Sequence, residues 1–274
     1  NTTWIADSFL EFSGTQGQEN WFSGYRDPKA DGGGVNYNPD TAFIAFDESV
    51  WTGTMWDLAA GVNPWTELGP ENTHPNGINN GVVHWILRRW VALEITKTTP
   101  LQLRWSMRKT NTGGGNGVTG ALYINGQLQD QAVIAYNNGT GLTRTFFANV
   151  NPNDRIDLIL SPTGTDAADT DGADGSANRL VIDTAIPPNP RQPDGTPFVP
   201  AGQETITVLR PQAAGGKVTL TWNSVAGSTY TVFGSKDLET WSPLQAGIAS
   251  GGEQTQYVDS TPDPAARFYR VGRD

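Results

Sequence analysis

Apolar and polar residues alternate along much of this chain with a period of two, the spacing of a strand whose side chains point to opposite faces. The clearest case is the run 83–90: Val83, Trp85, Leu87 and Arg89 fall on one face, His84, Ile86, Arg88 and Trp90 on the other. Further strands are expected at 101–107, 120–124, 131–135, 143–150, 155–160 and 179–182. The Asn125–Gly126 pair between two of them suits the positive φ of a tight hairpin. Long amphipathic helices are not in evidence. Residues 1–81 are less regular: a short strand at 43–46 lies among long loops carrying Trp21, Trp51, Trp56 and Trp65. Loops so long and aromatic are usually functional rather than disordered.

The alternation breaks at 185–203, AIPPNPRQPDGTPFVPAGQ, where six prolines fall in nineteen residues. This reads as an extended, semi-rigid linker between a first domain, 1–184, and a second, 204–274. In the second, alternation returns at 217–222 (KVTLTW), 230–233 (YTVF), 257–258 and 268–271, with turn-forming runs between, as a small antiparallel sandwich requires. In the first, short strands joined by turns imply a jelly roll. The expected fold class is all-β: a jelly-roll β-sandwich followed by a smaller sandwich.

Composition narrows the chemistry. Eighteen Lys and Arg against 28 Asp and Glu leave a net charge of −10, a poor basis for nucleic-acid binding or for an anionic membrane surface. The excess acidity is concentrated in 1–184, with 11 basic and 20 acidic side chains. The absence of cysteine excludes disulfides, thiolate metal sites and a cysteine nucleophile. Apolar runs fall far short of the roughly 20 residues that span a bilayer. No basic region followed by an apolar one stands at the start, so secretion is argued from other features.

Several motifs touch on chemistry. Gly115-Asn-Gly117-Val-Thr-Gly120 fits the letters of a dinucleotide fingerprint, but strands stand on both sides where phosphate binding needs a helix N-terminus; it reads as a glycine-rich connection. No G-x-S-x-G elbow and no H-E-x-x-H occurs, while His74 lies in a turn-like sequence and His84 on a strand. Asp166, Asp169, Asp171 and Asp174 fall within DAADTDGAD. Since Ca²⁺ takes six to eight oxygens, this loop is a candidate structural calcium site, with a merely solvated acidic loop as the alternative.

Ten tryptophans remain to be placed. Trp85, Trp90 and Trp105 sit in strand patterns and Trp222 and Trp241 in the second domain, where core packing accounts for them. The loop aromatics are different. An exposed indole offers a flat apolar face to a sugar ring while polar neighbours hydrogen-bond its hydroxyls. The candidate carbohydrate-binding residues are Trp21, Tyr25, Trp51, Trp56, Asp57, Trp65, His74 and Arg88. Asp47, Glu48, Asp57, Glu67 and Glu71 are interleaved with them, and a pair of carboxyl groups is all that glycoside cleavage needs.

The string LTWNSVAGSTYTVFGSKDLETWSPLQ, ending in ARFYRV, resembles the fibronectin type III-like modules at the C-terminal ends of secreted bacterial proteins. The resemblance rests on Trp222, Tyr230, Asp237, Trp241 and the final strand, and implies a spacing or attachment role without chemistry of its own. FSGTQGQENWFSGY, with HPNG, VVHWILRRW, GGGNGVTGALYINGQ and DRIDLIL, resembles β-sandwich modules of secreted bacterial proteins. These share the overall pattern of jelly-roll carbohydrate-binding modules, which take sugar on loop aromatics or on a concave sheet face. The expectation is a non-catalytic polysaccharide-binding protein, secreted or at the cell surface, a monomer or part of a longer multidomain chain. A polysaccharide-degrading enzyme and a structural or adhesive module are the alternatives.

Overall fold

The computed structural model describes residues 4–201, 206–262 and 268–274. Its regular structure is 46% strand and 3% helix, and its sheets are antiparallel, so the chain is all-β. It divides into two compact units, Asn1–Gly202 and Gln203–Asp274. Among the described residues no helix is long and apolar enough to cross a membrane.

The first unit contains β1 (Trp4–Asp7), β2 (Trp21–Arg26), β3 (Ile44–Ala45), β4 (Trp56–Asp57), β5 (Glu67–Leu68), β6 (Asn72–His74), β7 (Trp85–Val91), β8 (Thr99–Lys109), β9 (Val118–Ile124), β10 (Gln127–Ile134), β11 (Leu142–Val150), β12 (Arg155–Ser161) and β13 (Ser176–Asp183). One sheet runs β11-β8-β13-β6-β5-β4, with β1 also on β13; the other runs β10-β9-β12-β7-β2-β3. From β7 onward the chain passes repeatedly from one sheet to the other, as in a jelly roll.

The period-two pattern explains what lies between the sheets. Leu101, Leu103, Trp105 and Met107 of β8 are buried while Arg104 and Arg108 on the opposite face are exposed. Ile86, Trp90, Leu122, Ile156, Leu158 and Leu160 meet them from the other sheet, each burial worth about 1.5–3 kcal/mol for a side chain of that size. At the expected hairpin, Asn125 and Gly126 take φ 50° and 73° and bring Gln127 opposite Ile124, the backbone of a two-residue turn.

As far as Ala201, the proline-rich stretch packs along the outer edge of β11. A proline has no N–H to give a ladder, and side-chain amides take its place. The Gln192 Oε1 accepts from the Phe147 N–H at 3.0 Å and its Nε2 donates to the Phe147 carbonyl at 2.8 Å. Asn149 bonds Val199 and Ala201 in the same manner, and Phe198 stacks on Phe147 at 5.8 Å. An edge that would template further strands is thereby covered. Gly202 and Gln203, the end of that stretch, lie outside the described residues.

The second unit contains β14 (Gln212–Ala214), β15 (Lys217–Asn223), β16 (Thr229–Ser235), β17 (Ser242–Ala249), β18 (Gln254–Asp259) and β19 (Phe268–Arg273). They form two sheets, β14-β15-β18 and β17-β16-β19, around Leu220, Trp222, Tyr230, Val232 and Val271. The D-L-x-x-W string is a turn: Asp237 accepts from the Glu239 and Thr240 N–H groups at 2.9 and 2.8 Å, and the Trp241 indole donates to the Leu238 carbonyl. Trp241, expected in the core, is half-buried on the surface under the Arg270 guanidinium. Ala266 and Arg267 of the final string lie outside the described residues.

Candidate functional site

The loop residues that resembled a stacking platform are largely scaffold. Trp56 is 0% exposed, stacked on Phe46 with its Nε1 donating to the Ser13 carbonyl at 3.2 Å. Trp21 is buried, its Nε1 donating to Glu11 at 2.7 Å. Trp51 packs between Phe12 and Trp56, and Tyr25 against His84 and Phe46. Arg88 is buried, donating to the Asn178 side chain and the Gly69 carbonyl. A ring without an open face stacks on nothing, and a buried guanidinium already bonded to Asn178 and Gly69 meets no sugar hydroxyl, so Trp21, Trp56 and Arg88 are corrected from ligand contacts to core. Loops without strand partners bury aromatics instead. Asp47 and Glu48 are exposed; Asp47 caps a short 3-10 turn through the Ser49 N–H, and the Ser49 hydroxyl together with that N–H holds its carboxyl below the ordinary range.

An open surface lies elsewhere, on the outer face of the sheet containing β7, β9 and β12. Trp85 and Leu87, Ala121 and Tyr123, and Ile159 give that face an apolar layer of its own. The segment 27–43 covers part of it. Tyr37 donates to Asp157 at 2.5 Å, Arg89 holds both oxygens of Asp157 at 2.7 and 2.8 Å, and Arg89 also donates to the Pro39 carbonyl. Burial beside the Asp157 charge pushes the Tyr37 hydroxyl far above its usual acidity range, so it remains a donor. Arg26 pairs with Asp31, and its guanidinium lies over both the Tyr37 and Trp85 rings at 4.8 and 4.7 Å.

Beyond that cover the face opens into a groove of about 610 Å³, within the usual size range of a ligand cleft. Ala121, Tyr123 and Ile159 form its floor and Trp85 its side, with Thr119, Gln131 and Ser161 among its polar groups. Tyr123 is buried, whereas Trp85 is half-buried. Among the described residues no Lys or Arg lines it, and Asp169, its acidic group, accepts from the Thr163 hydroxyl.

Five of the sequence candidates, Asp57, Trp65, Glu67, His74 and Asp171, do converge, around the short strands. Asp57 lies opposite Glu67, and Glu67 opposite His74, so the three share one face at a cross-strand Cβ spacing of about 5 Å. Burial weakens the acidity of Glu67, with the Asp57 charge acting in the same direction and His74 against it. His74 Nδ1 lies near the Pro75 and Trp65 carbonyls, at 2.7 and 3.1 Å, which assigns it the proton; Nε2 faces Asp171 at 3.7 Å. Trp65 is half-buried beside them, and Glu71 lies apart near Arg108 and Asn178.

The acidic loop is dispersed by its partners. Asp166 accepts from Asn116, Asp169 from Thr163, Asp171 from Asn80 and Asp174 from Lys109. Among the described residues no group of three or more His, Asp or Glu side chains is placed to hold a metal ion. Calcium binding there is a proposal from composition alone, and a thermal melt with Ca²⁺ or EDTA tests it: a calcium-dependent rise supports it, and identical melts overturn it. Gly115, with φ +82°, passes so near this loop that a Cβ would come 1.7 Å from the Gly172 oxygen. That close approach accounts for glycine there without a nucleotide.

Neither a protein-family model nor a curated protein sequence matches this chain. Solved structures show distant likenesses. The adhesin domain of Epf from Streptococcus pyogenes has a TM-score of 0.36 at 9% identity, covering 100% of this chain and 91% of that one. The N-terminal CBM22-1-CBM22-2 tandem domain of Paenibacillus barcinonensis Xyn10C has a TM-score of 0.30 at 12% identity, covering 100% and 85%. A beta-1,2-glucanase from Parabacteroides distasonis has a TM-score of 0.24 at 12% identity, covering 98% and 36%. Likenesses this slight carry no inference about activity.

Proposed function

We propose that the first unit is a non-catalytic binding module for a neutral polysaccharide, held in the groove beside Trp85, in a secreted or surface protein whose second unit spaces or attaches it. The observation that supports this reading is the half-buried Trp85 indole beside an apolar floor at the groove wall, with the Arg26 guanidinium against the ring and hydroxyl and amide groups nearby. The ring supplies a surface for the C–H face of a sugar, and Thr119, Gln131 and Ser161 supply hydrogen bonds to its hydroxyls. Arg26 is buried and paired with Asp31, and the groove lining has no Lys or Arg among the described residues, which favours an uncharged polymer.

Affinity electrophoresis through neutral plant, algal and microbial polysaccharides is expected to show retardation on at least one. Trp85→Ala is expected to weaken that retardation about five- to tenfold, the loss of roughly 1 kcal/mol of stacking, while its melt shows a folded protein. Retardation by none of them, or equal retardation of a folded Trp85→Ala, overturns the reading.

The Asp57–Glu67 pair supports a second reading, a glycoside hydrolase with Glu67 as the proton donor, because burial weakens its acidity. Prolonged incubation with the retarding polysaccharide is expected to release no reducing ends. Release that Glu67→Gln abolishes would establish the enzyme instead.

A further inference from the structure

The outer face of the other sheet has a groove that the proposed function does not use. Along β8, Arg104, Ser106 and Arg108 point outward. Two hollows of about 520 and 220 Å³ lie on this face, and Ser106 and Thr143 line both. Trp4 and Leu10, exposed by 48% and 61%, border the larger. Phe9, 40% exposed, lies next to Leu10 with the Arg179 guanidinium over its ring at 5.2 Å.

The charges on this face are unevenly engaged. Asp7 is held by Arg179 through two bonds. Asp183 is buried, accepting from the Gln102 amide and the Ala185 N–H. Glu71 is half-buried, and its charge acts on the buried Arg88 and on Arg179. Arg104 and Arg108 are exposed, and neither has an ion-pair partner among the described residues. In a chain of net charge −10, the exposed charges at the centre of this face are two guanidinium groups.

We propose that this face is a second binding site, for an acidic polysaccharide, with uronate carboxylates on Arg104 and Arg108 and a sugar ring against Trp4. A guanidinium matches a carboxylate in bidentate geometry, and the Trp4 ring supplies the apolar surface. Four residues of strand separate the two arginines by about 13 Å. That spacing suits a carboxylate recurring at intervals along a polymer rather than duplex nucleic acid, which carries a charge for about every 1.7 Å of axis. The site is on the sheet opposite the Trp85 groove and stands whether or not that groove binds sugar. With both occupied, one molecule would link an acidic polymer to a neutral one.

The test is affinity electrophoresis at low salt through polygalacturonate, alginate and hyaluronate, with methyl-esterified pectin and single-stranded DNA as comparisons. At least one acidic polymer is expected to retard the protein, high salt to release it, and the methyl ester to retard it less than its acid. Arg104→Gln with Arg108→Gln is expected to reduce retardation at least tenfold with an unchanged melt, since both side chains are exposed, whereas Trp85→Ala retains it. Retardation by none of the three acids, equal behaviour of the double variant, or retardation by DNA that matches the acids would overturn the proposal.

Discussion

Asp157→Asn is expected to destabilise the first unit by about 3–5 kcal/mol, the usual cost of removing one partner of a buried ion pair. Asp157 is completely buried and binds the Arg89 guanidinium through both oxygens while accepting from Tyr37. The amide would leave the guanidinium buried without its counter-charge and give Nδ2 hydrogens no acceptor on that side. For a unit of this size the loss corresponds to a fall of roughly 6–20 °C in melting temperature. Tyr37→Phe, which removes one hydrogen bond, is expected to cost only about 1–2 kcal/mol. Both changes loosen segment 27–43 and so should raise its amide exchange before that of β8. Calorimetry and hydrogen exchange check this; a loss below about 1 kcal/mol in Asp157→Asn would remove the cluster as the fastening of that segment.

Lys109→Met is expected to have a comparable effect, and a pH-dependent one. Lys109 and Asp174 are both buried and lie 3.3 Å apart, with Lys109 also donating to the Ala173 carbonyl. Burial pushes the Asp174 carboxyl up to about 6 from an ordinary 3.8; Lys109 and His74 act against this and Asp171 with it. A carboxyl raised on folding favours the folded state below about pH 4, and that contribution is lost as pH rises through about 6. Without Lys109 the carboxyl rises further, so its ionisation opposes folding more strongly. The penalty of Lys109→Met is therefore expected to reach about 3–5 kcal/mol at pH 7.5 and to shrink at pH 4.5. Asp174→Leu in the same background should recover most of it. Urea unfolding at the two pH values measures both, and a pH-independent penalty would mean that Asp174 is not what the lysine neutralises.

The arrangement of the grooves was hidden for a specific reason. β7 is apolar on both faces, Ile86 and Trp90 on one and Trp85 and Leu87 on the other, so alternation alone placed Trp85 with the core tryptophans. A signal was present, because Ala121, Tyr123 and Ile159 extend the same apolar layer over β9 and β12. A sheet apolar on its outer face is either covered or binds something, and this one is covered only in part. β17 carries little alternation, because SPLQAGIA has few large side chains and a proline, which an edge strand tolerates.

The sequence by itself determined the all-β class, most long strands and the Asn125–Gly126 hairpin, because side-chain period and turn backbone are set by residues adjacent in the chain. Only the tertiary structure decided which aromatics are open. Trp56 sits among polar loop residues yet is sealed by contacts such as Ser13, 43 positions away, while strand-borne Trp85 is only half-buried and lines an open groove. Burial is a sum over neighbours from distant parts of the chain, and local polarity does not encode it. The same holds for charge: four clustered aspartates part to four different partners, and Arg104 and Arg108 are left exposed beside Asp7 and Asp183, which are already engaged.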